Sequence, residues 1–277
     1  FDTAHTYFDG ECERALGAWI EARGIRDDVV IIGKGAHPDQ NGARVTPQAI
    51  TSDINESLER LRTDHIDIYI LHRDDESQSV EPIMDRLYEH HQKGHINVIG
   101  GSNWSHQRLQ AANEYAIAND LLPFTVSSPQ FSLAEMIKPT WDGCISIGHN
   151  ADAQAWYRNN KMPLLTWSSL AGGFMTGRFT RDNLTSFEDY FAKVNIEAYA
   201  YDENFQRLER AQHLASQKDV SLPQLALAYV LNQPLNIFAI IGSMSEDEFV
   251  ENAVALTLDL SQQELDWLNL KIETLDT

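Results

Sequence analysis

Six short runs of apolar, mostly β-branched residues are spaced along the chain, with segments of helical period between them. Each run is too short for a helix and is bounded by polar or glycine residues, which predicts buried strands. The runs cover residues 29–33, 67–71, 96–100, 124–127, 164–167 and 237–241. Strands that alternate with helices form a parallel sheet with right-handed crossovers.

The segments between the runs repeat apolar residues three or four positions apart, which predicts amphipathic helices. One helix is predicted after Thr46 as N-cap, with Pro47 at the first helical position, and it continues to Leu61. Ser261 and Glu264 have the spacing of a capping box at the start of a last helix. The other predicted helices cover residues 81–93, 105–119, 202–218 and 222–232. Residues 134–148 and 180–201 have no clear period and are predicted to be long loops.

Two α/β architectures fit this alternation, a closed (β/α)8 barrel and an open doubly wound sheet. No glycine-rich dinucleotide fingerprint follows any of the predicted strands, which favours the barrel. The chain supplies six runs and a strand end at residues 1–4. We therefore predict one α/β domain over residues 1–277, a (β/α)8 TIM barrel that is incomplete at its N-terminus. Its first strand and helix, and most of its second strand, are expected to precede Phe1.

Composition limits the classes of partner. The formal net charge is −20, which argues against nucleic acid and against anionic membrane surfaces. The two cysteines, Cys12 and Cys144, are too few for a disulfide framework and fit a reducing compartment. No apolar run approaches the roughly 20 residues of a membrane span. We predict a cytoplasmic protein without a nucleic-acid or membrane partner, and the spacing of His, Cys and Asp predicts no metal site.

Four polar residues follow strand ends that a barrel would bring to one face: Asp2, Tyr7, Lys34 and His72. Taken singly, each residue could have a purely structural role. Asp2 could cap a turn, Tyr7 could be a surface aromatic, Lys34 a solvated lysine and His72 a loop histidine. Together they are chemically coherent, because a nearby ammonium favours the tyrosinate and lowers the tyrosine pKa from about 10. Asp2 would hold Lys34, and His72 would donate a hydrogen bond to a carbonyl oxygen. The set predicts a site that delivers a proton to an oxygen gaining negative charge.

With these residues, the chain resembles the aldo-keto reductase superfamily over its whole length. The matching motifs are residues 2–4 with Tyr7, Lys34, residues 71–73, residues 101–103, Gln130, and residues 241–243 with residues 251–252. The family tetrad of Asp, Tyr, Lys and His falls on Asp2, Tyr7, Lys34 and His72 without substitution. The resemblance implies a (β/α)8 barrel and an NAD(P)-dependent oxidoreductase. Its substrate would be a small aldehyde, ketone or sugar, with Tyr7 as the acid in reduction and the base in oxidation.

The resemblance also implies where the cofactor is held. Three residues would bind the nicotinamide carboxamide: Ser102, Asn103 and Gln130. Trp167 falls where the family usually stacks a tyrosine on the nicotinamide. The loop over the pyrophosphate would contain Ser168, Leu170 and Gly172, and the adenosine end would contain Gly242, Ser243, Glu251 and Asn252.

Glu248 bears on the choice between NADP and NAD. It stands where many relatives carry Arg or Gln beside the 2'-phosphate, and the family's basic residue near Gly242 is absent. A carboxylate repels a phosphate and can accept a hydrogen bond from a ribose 2'-hydroxyl. The position favours NAD(H), whereas most of the family prefers NADP(H).

Several alternatives stay open from the sequence. The same fold serves as a cofactor-binding sensor or partner subunit with little turnover in the β subunits of voltage-gated potassium channels, which resemble this family. A homo-oligomer and a domain of a fused oxidoreductase are also compatible with the chain. Trp104 beside Asn103, together with the long loops, favours a polar, aromatic-walled pocket suited to a sugar.

Overall fold

Parallel strands and helices alternate along the chain, as the apolar runs predict. In this computed structural model, which describes residues 1–275, two compact units are present, Phe1–Ser128 and a second unit that begins at Pro129. The strands are β1 (Ile32–Gly35), β2 (Ile66–Leu71), β3 (Ile96–Ser102), β4 (Val126–Ser128), β5 (Leu164–Thr166) and β6 (Ile237–Ala239). The helices are α1 (Glu11–Arg23), α2 (Pro47–Leu61), α3 (Glu81–Gln92), α4 (His106–Ala118), α5 (Ala151–Asn160), α6 (Tyr190–Tyr199), α7 (Asp202–Gln217), α8 (Leu222–Leu231), α9 (Glu246–Ala253) and α10 (Gln262–Leu268).

In the first unit, four strands form a parallel sheet in sequence order. Ile32 of β1 is opposite Ile68 of β2, and the pairing continues from β2 to β3 and from β3 to β4. The N-terminal residues extend this sheet beside β1, because the Thr3 N–H donates to the Ile32 carbonyl at 2.8 Å. The His5 N–H donates likewise to the Lys34 carbonyl at 2.8 Å. The strand end predicted at residues 1–4 is confirmed.

The helices of the first unit begin where their caps predict. The Thr46 side chain accepts a hydrogen bond from the Ala49 N–H, with Pro47 at the first position of α2. Of the four apolar positions whose spacing predicts α2, the helix buries Ile50, Ile54 and Leu61, and Leu58 is half-buried. Helix α1 has no counterpart among the predicted helices.

The second unit contains β5 and β6, which pair in parallel, and helices α5 to α10. Residues 134–148 contain neither a helix nor a strand, as predicted. The prediction of a loop over residues 180–201 is wrong in part, because α6 lies within it. The Asp189 side chain caps the N-terminus of α6. The helix buries only Ala192, Ala198 and Tyr199, which are too few to give an apolar period in the sequence. The predicted capping box of Ser261 and Glu264 is present.

Among the helices described in residues 1–275, none combines the length and apolarity needed to cross a bilayer.

Candidate active site

Lys34 lies near the end of β1 and is bonded to the N-terminal strand. Its Nζ donates to Asp2 Oδ1 at 2.8 Å, to Asp2 Oδ2 at 2.7 Å and to the Thr3 carbonyl at 2.7 Å. An ammonium group has three hydrogens, so these bonds use all of its donors. Only 4% of the Lys34 side chain is exposed, and a charge at such a position requires a paired carboxylate. The predicted pair of Asp2 and Lys34 is confirmed.

Tyr7 packs against both Lys34 and His72. It opens a 3-10 turn, Tyr7–Gly10, that follows the N-terminal strand. The Lys34 Nζ lies 4.8 Å from the centroid of the Tyr7 ring, and the rings of Tyr7 and His72 have centroids 5.6 Å apart. The structure thus brings together the four residues that the sequence predicts as a tetrad. Lys34 faces the ring of Tyr7, and its hydrogens point to other acceptors.

The pKa of Tyr7 is raised above its ordinary value, and burial is the main cause. The negative charge of Asp2 raises this pKa further, whereas the positive charge of Arg73 lowers it. Burial also lowers the pKa of Lys34, against the charge and hydrogen bonds of Asp2. The prediction that Lys34 lowers the pKa of Tyr7 below its ordinary value is therefore wrong in its net direction. Burial and the negative charge of Asp2 outweigh the lowering effect of Arg73 on this pKa.

His72 follows β2, and its backbone N–H donates to the Gly35 carbonyl at 2.8 Å. Burial lowers its pKa well below the ordinary value, and the charges of Lys34, Arg73 and His37 lower it further. The imidazole is therefore neutral at pH 7, with one N–H donor and one acceptor nitrogen. Its Nδ1 is buried and has no hydrogen-bond partner within residues 1–275. A neutral ring with an unused nitrogen is suited to bind one polar atom of a ligand.

Two further residues of this site were not predicted from the sequence, His37 and Arg73. The rings of His37 and His72 have centroids 4.8 Å apart, and His37 Nδ1 lies 2.8 Å from the Pro38 carbonyl. The Arg73 Nη1 donates to the His72 carbonyl at 2.8 Å. The available signal was their position, since both come shortly after strands that carry predicted site residues.

Ser102 and Asn103, at the end of β3, join the same cluster. The Ser102 hydroxyl donates to the Ser128 carbonyl at 2.8 Å, and Asn103 Nδ2 donates to Ser102 Oγ at 3.0 Å. Asn103 Nδ2 also lies 3.3 Å from the His72 carbonyl. Asn103 has a φ of 60°, a left-handed conformation that asparagine tolerates better than most residues. These bonds connect the end of β3 to the backbone of His72.

Trp104 does not line a pocket, contrary to the expectation of an aromatic wall. Its exposed fraction is 0%, and its ring packs edge-on against Phe124 with centroids 5.2 Å apart. Its Nε1 donates to the Arg73 carbonyl at 3.1 Å. A Cβ on Gly101 would lie 2.7 Å from the Trp104 ring, so this packing requires glycine. Trp104 therefore supports the backbone that carries His72 and Arg73.

A buried ion pair holds the loop between Asp2 and Tyr7 in place. Arg60 of α2 donates from Nη1 to the His5 carbonyl at 3.0 Å and to Glu13 Oε2 at 3.3 Å. The Glu13 side chain, on α1, has no exposed surface. The Arg60 Nη2 donates to Glu56 Oε2 at 2.8 Å. One guanidinium thus connects α1, α2 and the backbone between two predicted site residues.

In the second unit, Gln130 and Trp167 are neighbours across a parallel bridge. Gln130 is fully buried, and its Nε2 donates to Ser132 Oγ at 2.8 Å and lies 3.4 Å from the Ser168 carbonyl. Its Oε1 is buried without a hydrogen-bond partner in the described chain, and so is Trp167 Nε1. A buried acceptor left unpaired is costly, which indicates a missing donor. An amide of a bound ligand would supply that donor.

The loop after β5 forms a tight turn around glycine. The Gly172 N–H donates to Ser168 Oγ at 2.9 Å, and the Leu170 carbonyl accepts from the Gly173 N–H at 3.1 Å. Gly172 has a φ of 59°, and a Cβ there would lie 1.9 Å from Asn195 Oδ1. Only glycine fits at this position, so its place in the turn is fixed by both conformation and space.

The residues predicted for the adenosine end lie just before α9 and in its last turn. Asn252 Nδ2 donates to Ser243 Oγ at 3.1 Å, and Gln224 Nε2 donates to the Glu251 carbonyl at 3.0 Å. Glu248 is exposed, and its Oε2 accepts from the Met244 N–H at 2.8 Å. The Glu248 carboxylate is therefore held at the N-terminus of α9. Gly242 is exposed and has open space around it.

No group of three His, Cys, Asp or Glu side chains within residues 1–275 has the arrangement of a metal site.

Parallel strands with active-site candidates at their ends, and a Tyr-Lys-Asp-His cluster, define a class of carbonyl oxidoreductases. The sequence profile of the Aldo/keto reductase family matches residues 1–273. The chain belongs to this family. The predicted fold class, a (β/α)8 barrel, is confirmed by this match and by a solved structure.

That structure is an aldo-keto reductase of Klebsiella pneumoniae in complex with NADPH, with a TM-score of 0.70 and 25% sequence identity. The similarity covers 98% of this chain and 78% of that one. A probable voltage-gated potassium channel subunit beta of Oryza sativa is 29% identical over 92% of this chain and 77% of that protein. An aryl-alcohol dehydrogenase (NADP(+)) of Phanerodontia chrysosporium is 25% identical over 97% of this chain and 71% of that protein. A norsolorinic acid reductase of Aspergillus flavus is 28% identical over 95% of this chain and 65% of that protein.

Proposed function

We propose that the chain catalyses hydride transfer between a nicotinamide dinucleotide and the carbonyl carbon of a small aldehyde, ketone or sugar. The observation that carries the proposal is the cluster of Asp2, Tyr7, Lys34 and His72, in which Lys34 contacts both Asp2 and the Tyr7 ring. Membership of the family, which includes reductases and dehydrogenases, supports the reaction type.

Tyr7 is the proton donor in reduction and the base in oxidation. Burial keeps the phenol protonated at neutral pH, which is the form that donates to the oxygen of a carbonyl accepting hydride. Neutral His72 binds and orients that oxygen through a ring nitrogen. The Asp2–Lys34 pair fixes the ammonium over the Tyr7 ring, where positive charge favours the tyrosinate that forms.

A bound reduced nicotinamide would supply the hydride. In the second unit, the unpaired Gln130 Oε1 fits the N–H of its carboxamide, and Trp167 would stack on the ring. The turn of Ser168, Leu170 and Gly172 would approach the pyrophosphate with its backbone. Ser243, Glu251 and Asn252 would bind the adenosine end.

The preference between the two dinucleotides is proposed to depend on Glu248. One relative carries NADP(+) in its name and one similar structure contains NADPH, and both support NADP(H) as the cofactor of this chain. Against this, Glu246, Asp247 and Glu248 place three carboxylates in the first turn of α9, which repel a 2'-phosphate. A comparison of NADPH and NADH affinity between the wild type and Glu248→Gln tests this directly.

Aryl aldehydes are the first substrates to test, because a relative is named for aryl alcohols. Trp104 does not support a sugar pocket, since its ring is buried. A panel should therefore pair aryl aldehydes with aldoses of similar size.

The decisive experiment uses the protein with and without Tyr7→Phe. Fluorescence titration with NADPH and NADH measures cofactor binding, and reduction of the aldehyde panel measures turnover. We expect both proteins to bind cofactor and the variant to lose about 10²- to 10⁴-fold in kcat/KM, the range for a general acid. Equal turnover by Tyr7→Phe would contradict the proposed role of the tyrosine.

A second candidate is a cofactor-binding subunit with little turnover, favoured by the 29% identity with a probable potassium channel subunit beta. That function predicts slow single-turnover oxidation of bound cofactor by the aldehyde and retention of the cofactor through gel filtration. An enzyme releases the cofactor and turns over repeatedly. Multiple turnovers per minute with any aldehyde of the panel would exclude the sensor as the main role.

A further inference from the structure

Asn204, in the first turn of α7, has a fully buried side chain that makes four hydrogen bonds. Its Oδ1 accepts from the Glu135 N–H at 2.8 Å and from Arg207 Nη1 at 2.9 Å. Its Nδ2 donates to the Glu135 carbonyl at 2.9 Å and to the Tyr199 carbonyl at 2.8 Å. An amide has two donor hydrogens and an oxygen with two lone pairs, so these bonds satisfy the side chain completely.

The bonds to Glu135 hold the segment of residues 130–135, which begins at Gln130. Ser132 Oγ accepts from Gln130 Nε2 at 2.8 Å and donates to the Ala134 carbonyl at 2.6 Å, one residue before Glu135. The side chains of Gln130 and Ser132 are both fully buried. The segment is therefore fixed by its own side chains at one end and by Asn204 at the other. It carries the unpaired Gln130 Oε1 that is proposed to accept from the nicotinamide carboxamide.

The bond to Tyr199 holds α6, which packs on the Ser168–Gly172 turn. Tyr199 is the last residue of α6, and Asn195 lies one turn earlier. A Cβ on Gly172 would lie 1.9 Å from Asn195 Oδ1, so the Asn195 amide packs directly on the backbone of this glycine. Asn204 therefore holds the half of α6 that contacts the turn. Through its two sets of bonds it joins the turn to the segment of residues 130–135.

We propose that Asn204 is a positioning residue of the dinucleotide site, which fixes residues 130–135 and the Ser168–Gly172 turn in one arrangement before the cofactor binds. The inference rests on the proposed function, and it includes no contact between Asn204 and the cofactor. Segments that already have their bound conformation lose little freedom on binding, which strengthens affinity. When such segments move independently, only a fraction of the molecules is competent, and the apparent affinity falls by that fraction.

The test is Asn204→Asp, which keeps the size of the side chain and its two acceptor bonds but cannot donate to the Glu135 and Tyr199 carbonyls. The new carboxylate is paired with Arg207, so no uncompensated charge is created. We expect Kd for NADPH and for NADH, measured by fluorescence titration, to rise about 10- to 100-fold, as when roughly 1–10% of the molecules are competent.

AMP provides a ligand control, because it carries only the adenosine end of the cofactor. The predicted adenosine residues Ser243 and Asn252 are held by a bond of their own, at 3.1 Å. The affinity for AMP, measured by NMR titration, should therefore stay within about two-fold in Asn204→Asp. An equal loss of affinity for AMP and for the dinucleotides would show a general disturbance of the unit and overturn the proposal.

Asn232→Asp is the matched control variant. Asn232 also bonds a loop of the second unit, since its Nδ2 donates to the Leu258 carbonyl at 2.8 Å and its Oδ1 accepts from the Leu260 N–H at 3.0 Å. That loop contains no predicted cofactor residue. We expect this variant to lose thermal stability and to keep its affinity for both dinucleotides. Equal loss of dinucleotide affinity in Asn232→Asp and Asn204→Asp would contradict a specific role of Asn204.

Hydrogen exchange in the free protein separates this inference from the proposed function. Mass spectrometry should show faster exchange in Asn204→Asp for both residues 130–137 and residues 168–176, because both lose their link to Asn204. Asn232→Asp should leave both at the wild-type rate. If the wild type binds neither dinucleotide, the proposed function fails, and joint acceleration still supports Asn204 as the residue that holds the two segments together. Unchanged exchange in either segment would refute the positioning role, even if the enzyme is active.

Discussion

At the scale of single residues, Lys34 shows how a charge is kept in a buried position. Only 4% of its side chain is exposed, and the two oxygens of Asp2 accept two of its three hydrogens. Breaking such a pair by removing one partner is far more costly than removing both, because an uncompensated charge is left behind. The same pair sets the distance between the ammonium and the Tyr7 ring. Stability and chemistry therefore depend on one contact.

Replacing Asp2 with Asn tests this dependence. We expect the free energy of unfolding at pH 7 to fall by about 3–5 kcal/mol, since Lys34 stays buried without a counter-charge. The pKa of Lys34, already lowered from 10.5 by burial, falls further in the variant. The unfolded chain then binds the proton more tightly, so stability rises with pH between the folded-state pKa and about 10.5. The deficit of the variant should shrink as the pH is raised from 7 to 10.

Urea unfolding at several pH values measures this deficit. Glu11→Gln is a suitable control, because Glu11 pairs with Arg14 at 2.9 Å on the surface, where 71% and 45% of the two side chains are exposed. Surface pairs contribute about 0–1 kcal/mol and carry no desolvation penalty. A pH-independent deficit in Asp2→Asn would show that the loss comes from packing and not from the Lys34 charge.

The sequence predicted which residues form the cluster but not the direction in which the pKa of Tyr7 is shifted. Asp2, Tyr7, Lys34 and His72 each follow a strand end, and the ends of parallel strands meet at one edge. The raised pKa of Tyr7 has burial as its main cause, and burial depends on neighbours distant in sequence. The burial of Arg73 was not predictable for the same reason, because an arginine after a strand is usually solvated. The Trp104 prediction was wrong because sequence does not tell which face of a loop an aromatic covers.

At the scale of secondary structure elements, Arg60 joins α1 and α2 to the loop that precedes Tyr7. Its guanidinium donates to the His5 carbonyl and to Glu13, whose side chain is fully buried. A Cβ on Gly10 would lie 2.7 Å from the Arg60 guanidinium, so the turn that ends at Gly10 packs directly on it. The position of Tyr7 therefore depends on a pair between two helices.

Arg60→Met should destabilise the protein by about 3–5 kcal/mol, because Glu13 is left as an unpaired buried charge. Adding Glu13→Gln removes that charge, so the double variant should be more stable than the sum of the single effects by about 1–3 kcal/mol. A double-mutant cycle in urea measures this coupling. Arg62→Met serves as the control, since Arg62 and Glu21 are 52% and 61% exposed. Strict additivity of Arg60→Met and Glu13→Gln would contradict the role of the pair.

The helices were predictable from the sequence where they bury one apolar face and expose the other. Helices α2, α3, α4, α7 and α8 were predicted within one or two residues, because each buries an apolar face with the helical period. The start of α10 was predicted from its capping box. Helices α1, α5, α6 and α9 were missed. In α1 a buried Glu13 and Gly17 interrupt the apolar face, and α9 has no buried residue at all. Such helices form through caps and tertiary contacts, which a search for apolar periodicity does not detect.

At the scale of the whole molecule, the cooperativity of unfolding tests the prediction of one domain. Contacts divide it into two compact units at residue 128, yet the family profile runs from residue 1 to residue 273 without a break. A (β/α)8 barrel is a single sheet whose strands depend on each other, so it behaves as one domain. The prediction of one domain from the sequence rests on this alternation of strands and helices.

We therefore expect one cooperative unfolding transition. Urea unfolding followed by pulsed hydrogen exchange and mass spectrometry reports peptides from residues 1–128 and from residues 129–275 separately, and both sets should share a midpoint. Saturating NADPH should raise both midpoints equally, because a ligand that binds only the native state stabilises everything that unfolds with its site. Two separate midpoints, with only one raised by NADPH, would mean that the units are independent domains. That outcome would also locate the cofactor-binding residues in the unit whose midpoint moved, which tests the assignment of Gln130 and Trp167 to the nicotinamide.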